Sequence, residues 1–192
     1  MLALTRLPWS WIWALSIVVV WLLVAYALGQ QPLTQQHSLD LVQYGAFKGS
    51  SISPDDSWRL IASQWLHVKF PHMLFNALII VIVGQSLINR FGAPFMVGVG
   101  VIGGAAGQLA SALVMPEAYI SGASQAYLAL TGLGLLTLPT RTLGWWASAV
   151  GTVAAIGLDV FVSDHAFVKI GHALPFALGV ACGVAIRKAA SK

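Results

Sequence analysis

Four polar residues stand out in this sequence because they interrupt its apolar stretches: His72, Asn76, Ser124 and His172. Polar and ionisable groups in such stretches are costly in energy and are usually functional. A serine hydroxyl becomes a nucleophile when an imidazole removes its proton, and N–H donors then stabilise the oxyanion that develops. The set therefore predicts acyl transfer, with Ser124 as the nucleophile and His172 as its base.

His72 and Asn76 are expected to donate to that oxyanion. They are spaced i, i+4, so they share one helix face and can point into the same cavity. Ser124 is expected to begin a helix, where its backbone N–H and the positive end of the helix dipole both favour an anion. The sequence thus predicts three oxyanion donors: two side chains and the Ser124 backbone.

Each of these residues also has a purely structural interpretation. Ser124 and Ser121 are both suited to cap a helix. A histidine or an asparagine within a membrane span can serve as a hydrogen bond between helices. His67, which precedes the same span as His72, is expected to be a loop or interfacial histidine.

The composition indicates a membrane protein. The 192 residues are 58% hydrophobic and 8% charged, against about 45–50% and about 25% in soluble domains. Lipid must therefore be the main solvent, which excludes a soluble enzyme. The net charge of +4 comes from scattered basic residues, so it does not predict a nucleic-acid partner. The single cysteine, Cys182, can form no internal disulfide.

Apolar runs predict an all-α, polytopic bundle of six transmembrane helices, which forms one domain over residues 1–192. A first loop at 29–70 is expected to be partly interfacial, with helical character at 55–66. A cleaved signal peptide ending near Ala27 is an alternative for the first run, although that run is long enough to span. The predicted spans are 9–28, 71–88, 94–115, 124–138, 143–162 and 167–186.

Basic residues predict the orientation, because Lys and Arg collect on the cytoplasmic side. Arg90, Arg141 and the basic tail at 187–192 place the ends of the second, fourth and sixth spans in the cytoplasm, and Arg6 does the same for the start of the chain. Both termini are then cytoplasmic. The first loop would place three basic residues on the outside, which is against the rule: Lys48, Arg59 and Lys69. The acidic residues Glu117 and Asp164 lie in the outer turns, as the orientation predicts.

The polar residues fall at one depth when helical rise is counted from these anchors. At about 1.5 Å per residue, Asn76 lies roughly 21 Å from Arg90, Ser124 roughly 25 Å from Arg141 and His172 roughly 22 Å from Arg187. In a hydrocarbon core of about 30 Å, that layer lies a few Å below the outer surface. The shared depth favours the catalytic interpretation of Ser124 and His172. Asp159 is the only carboxylate clearly inside a span, which argues against a proton relay across the bilayer.

Small residues indicate which helices pack closely. Gly179 and Gly183 are spaced four apart and share nearly one stripe with His172, and the fourth predicted span offers Ala129 and Gly132. A close approach of the fourth and sixth spans would bring Ser124 to His172.

A set of short motifs occurs in a fixed order along the chain: Trp58-Arg59, His67, His72 with Asn76, Gly84, Arg90-Phe91-Gly92, Gly122-Ala123-Ser124-Gln125-Ala126 and Gly171-His172 with Gly179. By these motifs the sequence resembles the rhomboid family of intramembrane serine proteases over about residues 44–186. The resemblance implies a dyad of Ser124 and His172 without an aspartate, an oxyanion hole completed by His72 and Asn76, and a structural role for His67.

Three departures from the family pattern keep an alternative open. Gln125 stands where glycine commonly follows the nucleophile, the second span ends without its usual acidic residue, and Leu174-Pro175 replaces an expected glycine. Pro175 is expected to kink the helix after the base. A catalytically inactive rhomboid-like protein that binds transmembrane segments is therefore the second hypothesis, and a small transporter or scaffold is the third.

The leading hypothesis is a serine endopeptidase that cleaves transmembrane segments of other membrane proteins near the outer leaflet. Its partners would be those substrates and the lipid bilayer, and we expect the bacterial inner membrane as its location. No cofactor is implied. His67 and His72 lack the third ligand that a zinc site needs, so no metal is predicted. The sequence predicts neither the substrate's identity nor the oligomeric state.

Overall fold

A computed structural model describes residues 8–162 and 167–191 of the chain. Arg6, Asp164 and Lys192, which entered the orientation argument, lie outside the described residues. The described chain is almost entirely helical. Its α-helices are α1 (Trp9–Ala27), α2 (Arg59–Ala62), α3 (Phe70–Phe91), α4 (Ala93–Val114), α5 (Ser124–Thr137), α6 (Leu143–Gly157) and α7 (Ile170–Ala190).

The helix boundaries follow local signals in the sequence. Proline occupies the first turn of both α3 and α4, where its missing N–H costs nothing. Gly92 alone separates these two helices and has a φ of +87°, a value that glycine adopts without strain. α7 continues through Pro175 to Ala190 as one helix, four residues beyond the predicted end of that span.

Among the described residues, five helices are long and apolar enough to cross a membrane: α1, α3, α4, α6 with its extension to Phe161, and α7. Of the other two, α2 is a four-residue helix in the first loop. Helix α5 has 14 residues and is about 21 Å long, shorter than a hydrocarbon core of about 30 Å. Twelve of its residues are buried, and it packs against α3, α4, α6 and α7. The predicted all-α polytopic bundle is confirmed, whereas the count of six spanning helices is not. α5 is a short helix buried at the centre of the bundle.

Helices α5 and α7 approach each other closely because glycines lie at their contact. A Cβ atom built on Gly179 would overlap the backbone oxygen of Ala129, and one on Gly132 would overlap that of Phe176. Small residues permit such contact between helix backbones in membranes. The predicted close approach of these helices is therefore confirmed, and it determines where the start of α5 meets the start of α7.

The first loop consists of short turns, and the helical character predicted at 55–66 is present there as three short helical segments. Pro54–Asp56 and Ser63–Trp65 form 3₁₀ turns on either side of α2. Arg59 holds them in place: its guanidinium donates to the carbonyl oxygens of Val42 and Ala46 and pairs with Asp56 at 2.9 Å. These bonds join separate parts of the first loop to one another without a long helix.

A two-stranded antiparallel sheet joins the first loop to the segment before α5. Strand β1 (Phe47–Lys48) pairs with β2 (Tyr119–Ile120), with Phe47 opposite Ile120. Phe47 and Ile120 are buried together with Ala112 of α4. The loop that leads into Ser124 is thus attached both to the first loop and to α4.

Candidate active site

Ser124 and His172 meet at the N-terminal ends of two helices. Ser124 is the first residue of α5 and His172 is the third of α7. Ser124 Oγ lies 2.9 Å from His172 Nε2, which is within ordinary hydrogen-bond distance. Ser124 is 3% exposed, so the hydroxyl is shielded while it contacts the imidazole.

The other imidazole nitrogen of His172 faces a carboxylate. His172 Nδ1 lies 2.7 Å from Asp159 Oδ2, and a carboxylate can only accept in such a bond. Nδ1 therefore carries the proton in the neutral imidazole, and Nε2 presents its lone pair to Ser124. An imidazole in this state can accept the serine proton, which is the requirement for a general base.

Gln125 provides a second acceptor for the same hydroxyl. Its Oε1 lies 3.1 Å from Ser124 Oγ. The Gln125 side chain is almost fully buried and fills the space beside Gly107 of α4, where an added Cβ would come within 2.8 Å of Gln125 Cγ. The residue that departs from the family pattern therefore contacts the hydroxyl itself.

His67, His72 and Asn76 form a hydrogen-bonded cluster. Asn76 Nδ2 lies 2.9 Å from His67 Nε2 and 3.3 Å from His72 Nε2, and the two rings meet edge to face. An amide nitrogen only donates, so both Nε2 atoms accept. His72 then carries its proton on Nδ1, which is a donor directed away from Asn76.

The same cluster reaches the backbone beside the serine. The backbone N–H of Ala123 donates to His67 Nε2 at 3.2 Å, and His67 Nδ1 lies 3.3 Å from the carbonyl oxygen of Trp65. Burial lowers the pKa of His67 to about 3. The ring is therefore neutral at physiological pH, with Nε2 accepting from the Ala123 backbone and Nδ1–H donating to the Trp65 carbonyl oxygen.

The turn before Ser124 needs glycine at position 122. Gly122 has a φ of +117°, which residues with a Cβ rarely adopt. Its N–H donates to the carbonyl oxygen of Ser63, and its own carbonyl oxygen accepts from Gln108 Nε2 at 3.0 Å. The turn is thereby tied to the first loop and to α4, which fixes the direction in which α5 begins.

The structure does not bring all of the predicted residues together. One group consists of Ser124, His172 and Gln125. A second group consists of His67, His72, Asn76 and Gly122, and it meets the first at Ala123. Trp58 is half exposed and stacks under the Arg59 guanidinium at 4.7 Å. The contacts of Trp58 and Arg59 organise the first loop rather than the serine.

Two contributors were not predicted as site residues. Asp159 was noted in the sequence as the one carboxylate clearly inside a span, and its position 13 residues before His172 was the available signal. Gln108, fully buried on α4, gave no signal beyond its polarity. Within 8–162 and 167–191, no three His, Cys, Asp or Glu side chains are grouped to hold a metal ion.

Comparison with known proteins identifies the family. Residues 54–189 match the model of the Rhomboid domain. The chain is 30% identical to Rhomboid-like protease 2 of Toxoplasma gondii over 155 residues, 75% of this chain and 53% of that protein. It is 32% identical to the mitochondrial RHOMBOID-like protein 6 of Arabidopsis thaliana over 115 residues, 59% and 38% of the two chains.

A third relative, RHOMBOID-like protein 2 of Arabidopsis thaliana, is 30% identical over 132 residues, 68% of this chain and 41% of that protein. The chain therefore spans between about two fifths and about half the length of the curated relatives it matches. The Rhomboid match covers most of the chain and includes four of the five apolar helices that can cross a bilayer. The chain is an integral membrane protein that belongs to the rhomboid family.

Proposed function

We propose that this protein is an intramembrane serine endopeptidase that cleaves transmembrane segments of other membrane proteins. The observation that carries the proposal is the 2.9 Å contact between Ser124 Oγ and His172 Nε2. It joins a hydroxyl and an imidazole whose tautomer, held by Asp159, leaves Nε2 free to accept a proton. The Toxoplasma gondii relative is described as a protease, which supports the same activity.

The reaction would proceed by acyl transfer. His172 Nε2 takes the Ser124 proton while Oγ bonds to the scissile carbonyl carbon, and the carbonyl oxygen becomes an oxyanion. The imidazolium then gives its proton to the leaving amine as the C–N bond breaks. Water repeats the sequence on the acyl-serine ester: His172 removes a proton from it, and collapse of the second tetrahedral intermediate releases the carboxylate product and restores Ser124.

The oxyanion would be stabilised at the start of α5. The Ser124 backbone N–H lies in the first helical turn, where it has no acceptor within the helix, and the helix dipole favours negative charge there. His72 offers its Nδ1–H, since Nε2 faces Asn76. Asn76 contributes the Nδ2 hydrogen that points toward His72, which can turn to the oxyanion when it forms.

Substrates would be segments that leave the helical conformation easily. A peptide bond in a transmembrane helix is protected by its backbone hydrogen bonds, and breaking them in lipid is costly. A segment with small or helix-breaking residues at the cut would lower that cost. The proposed depth of Ser124, a few Å below the outer surface, allows the required water to enter from that side.

Gln125 favours a second function, that of an inactive rhomboid-like protein that binds transmembrane segments. Its Oε1 can hold the Ser124 hydrogen at 3.1 Å, in competition with His172. If that bond persists when a substrate is present, the hydroxyl remains unreactive and the protein only binds.

A serine-reactive fluorophosphonate tests the proposal in the purified, detergent-solubilised protein. We expect it to label the native chain and to leave Ser124→Ala unlabelled. Ser121→Ala is the matched control and should be labelled at the native rate, because Ser121 lies before the turn at Gly122. Co-expression with a panel of membrane substrates should give cleavage that Ser124→Ala abolishes. No labelling and no cleavage by the native chain would support the inactive binder.

We also propose an orientation for the chain in the membrane. The basic residues favour cytoplasmic termini and an active site that opens to the outside. A bacterial inner membrane remains a prediction from the sequence, and the relatives named above come from Arabidopsis thaliana and Toxoplasma gondii.

A further inference from the structure

We propose that Asp159 is a positioning residue that completes a Ser124–His172–Asp159 arrangement in this chain, in place of the two-residue dyad that the family resemblance implies. Its role is to hold the His172 imidazole with the proton on Nδ1, so that Nε2 faces Ser124 as an acceptor. The kinetic consequence of this role rests on the proposed protease function, whereas the tautomer of His172 can be measured without it.

The geometry supports this assignment at both imidazole nitrogens. Nδ1 lies 2.7 Å from Asp159 Oδ2, and Nε2 lies 2.9 Å from Ser124 Oγ. The first distance is typical of a hydrogen bond that involves a charged group. The two bonds together fix the ring plane of His172, which a contact to Ser124 alone would leave free to turn.

Helix α6 positions Asp159 beside His172. Gly151, Thr152 and Ala155 lie on the buried stripe of α6, and Asp159 continues that stripe one turn beyond Ala155. The helix changes there to a π-helical turn at Leu158–Val162. Such turns are rare and are found at functional sites, and this one presents the carboxylate to the start of α7.

Asp159 is buried, and its carboxylate is held by several polar partners. The residue is 2% exposed, and a buried charge is costly unless it is paired and hydrogen-bonded. The backbone N–H of Lys169 donates to Oδ2 at 3.0 Å, and the Lys169 ammonium lies 3.7 Å from Oδ1. Lys169 and His172 lie at the start of α7, so the carboxylate joins that helix to α6.

The chemical effect follows from the two tautomers of a neutral imidazole. With its proton on Nε2, His172 would donate to Ser124 and could not accept the serine proton. In serine proteases with an aspartate at this position, asparagine retains the geometry but selects the wrong tautomer and lowers turnover by about 10⁴-fold. Asp159 would act through His172 in the same way and would not touch the substrate.

Asp159→Asn is the decisive variant because it keeps the size of the side chain. The Lys169 backbone N–H and His172 Nδ1 both face Oδ2. An amide nitrogen at that position would donate to Nδ1, and the bond from the Lys169 backbone would be lost. We expect ¹⁵N NMR of the detergent-solubilised full chain, above pH 8, to show Nδ1–H for His172 in the native protein and Nε2–H in Asp159→Asn. Fluorophosphonate labelling should slow by about 10²- to 10⁴-fold, whereas the melting temperature should fall only slightly.

Asp56→Asn is the matched control, since Asp56 pairs with Arg59 in the first loop. This substitution should leave both the His172 tautomer and the labelling rate unchanged. An Nε2–H tautomer in the native protein would overturn the proposal, as would Asp159→Asn labelling within about threefold of the native rate. If the native chain is not labelled at all, the protease function fails, and the NMR result alone decides the role of Asp159.

Discussion

Gln125 Oε1 and His172 Nε2 both lie within 3.1 Å of Ser124 Oγ, so one hydroxyl hydrogen has two acceptors. In the proposed mechanism, only the bond to His172 leads to proton removal. Gln125→Ala would delete the competing acceptor while keeping a good helix former in the first turn of α5. A hydrogen bond of this type is worth about 0.5–1.5 kcal/mol, so fluorophosphonate labelling of Gln125→Ala should speed up by about 2- to 10-fold.

Gln125→Gly restores the residue that is common in the family and should also raise the labelling rate. The gain is expected to be smaller, because glycine costs about 1 kcal/mol in a helix relative to alanine. A slower reaction in both variants would mean that the Gln125 amide donates to the oxyanion instead of competing for the serine hydrogen.

Asn76→Ala should lower the rate of substrate cleavage by about 10²- to 10³-fold, which is typical for the loss of one oxyanion donor. Asn76 also orients His72 through the 3.3 Å contact between Asn76 Nδ2 and His72 Nε2, so His72→Ala should have a similar effect. Cleavage rates at saturating substrate in detergent or proteoliposomes measure both.

Asn89→Ala is the control on the same helix. Asn89 is exposed near the other end of α3, where its side chain accepts a hydrogen bond from Gln85, and its removal should not affect cleavage. If Asn76 is only a hydrogen bond between structural groups, Asn76→Ala would instead lower stability by about 0.6 kcal/mol with a nearly native rate.

His67 should make the fold sensitive to acid. Its pKa falls from an ordinary value of 6.5 to about 3 because the ring is buried. Between these values the unfolded chain binds a proton that the folded chain does not, so stability is lost as pH falls below 6.5. The loss from this residue should reach about 2 kcal/mol at pH 5.

His67→Gln removes that dependence, because glutamine does not titrate and can still accept from the Ala123 backbone. Unfolding measured at pH 7 and pH 5 should therefore show a smaller loss in His67→Gln than in the native chain. His37→Gln, at an exposed position in the first loop, should keep the native pH dependence. An unchanged dependence in His67→Gln would show that other groups cause the acid sensitivity.

Gly179→Ala should disrupt the contact between α5 and α7. The added methyl would overlap the backbone oxygen of Ala129, and overpacking of this kind costs about 1–3 kcal/mol. The displaced α7 would carry His172 away from Ser124, so the labelling rate should fall along with the melting temperature. Gly98→Ala is the control, since nothing lies within 4 Å of a Cβ added there, and it should retain both properties.

The membrane orientation can be tested with fused reporters. A reporter after Lys192 or at Arg90 is expected to lie in the cytoplasm, and one near Glu117 outside, because basic residues collect on the cytoplasmic side. Phosphatase and fluorescent-protein fusions report the two sides with opposite signals. An external reporter after Lys192 would contradict the proposed orientation.

Much of the bundle was predictable because helical periodicity and apolar length are local properties of a sequence. The small residues at Gly132 and Gly179 also predicted which helices meet, and the depth estimate predicted the contact between Ser124 and His172. The predicted span 124–138 nearly matches α5 at Ser124–Thr137, but the burial of α5 was not predictable to the same degree. Its apolar run resembles the others, and only tertiary packing shows that it is buried by protein on all sides.

Other parts of the site depend on contacts that no local pattern encodes. His67 looks like a loop histidine in the sequence, and its burial arises because the first loop lies on the turn before α5. Strands of two residues, such as β1 and β2, have no periodicity to detect. The contact of Asp159 with His172 depends on a π-helical turn, and the sequence shows only that a carboxylate lies near the end of a span.

The proposed nucleophile and its base lie 48 residues apart, on separate helices. A ribosome makes α5 first, so during biogenesis Ser124 enters the membrane before any imidazole of α7 exists to take its proton. The base arrives only when α7 inserts and Gly179 docks against Ala129. Under the proposed protease function, the order of synthesis would keep the nascent chain from attacking neighbouring membrane proteins, and docking of α7 would be the step that activates Ser124.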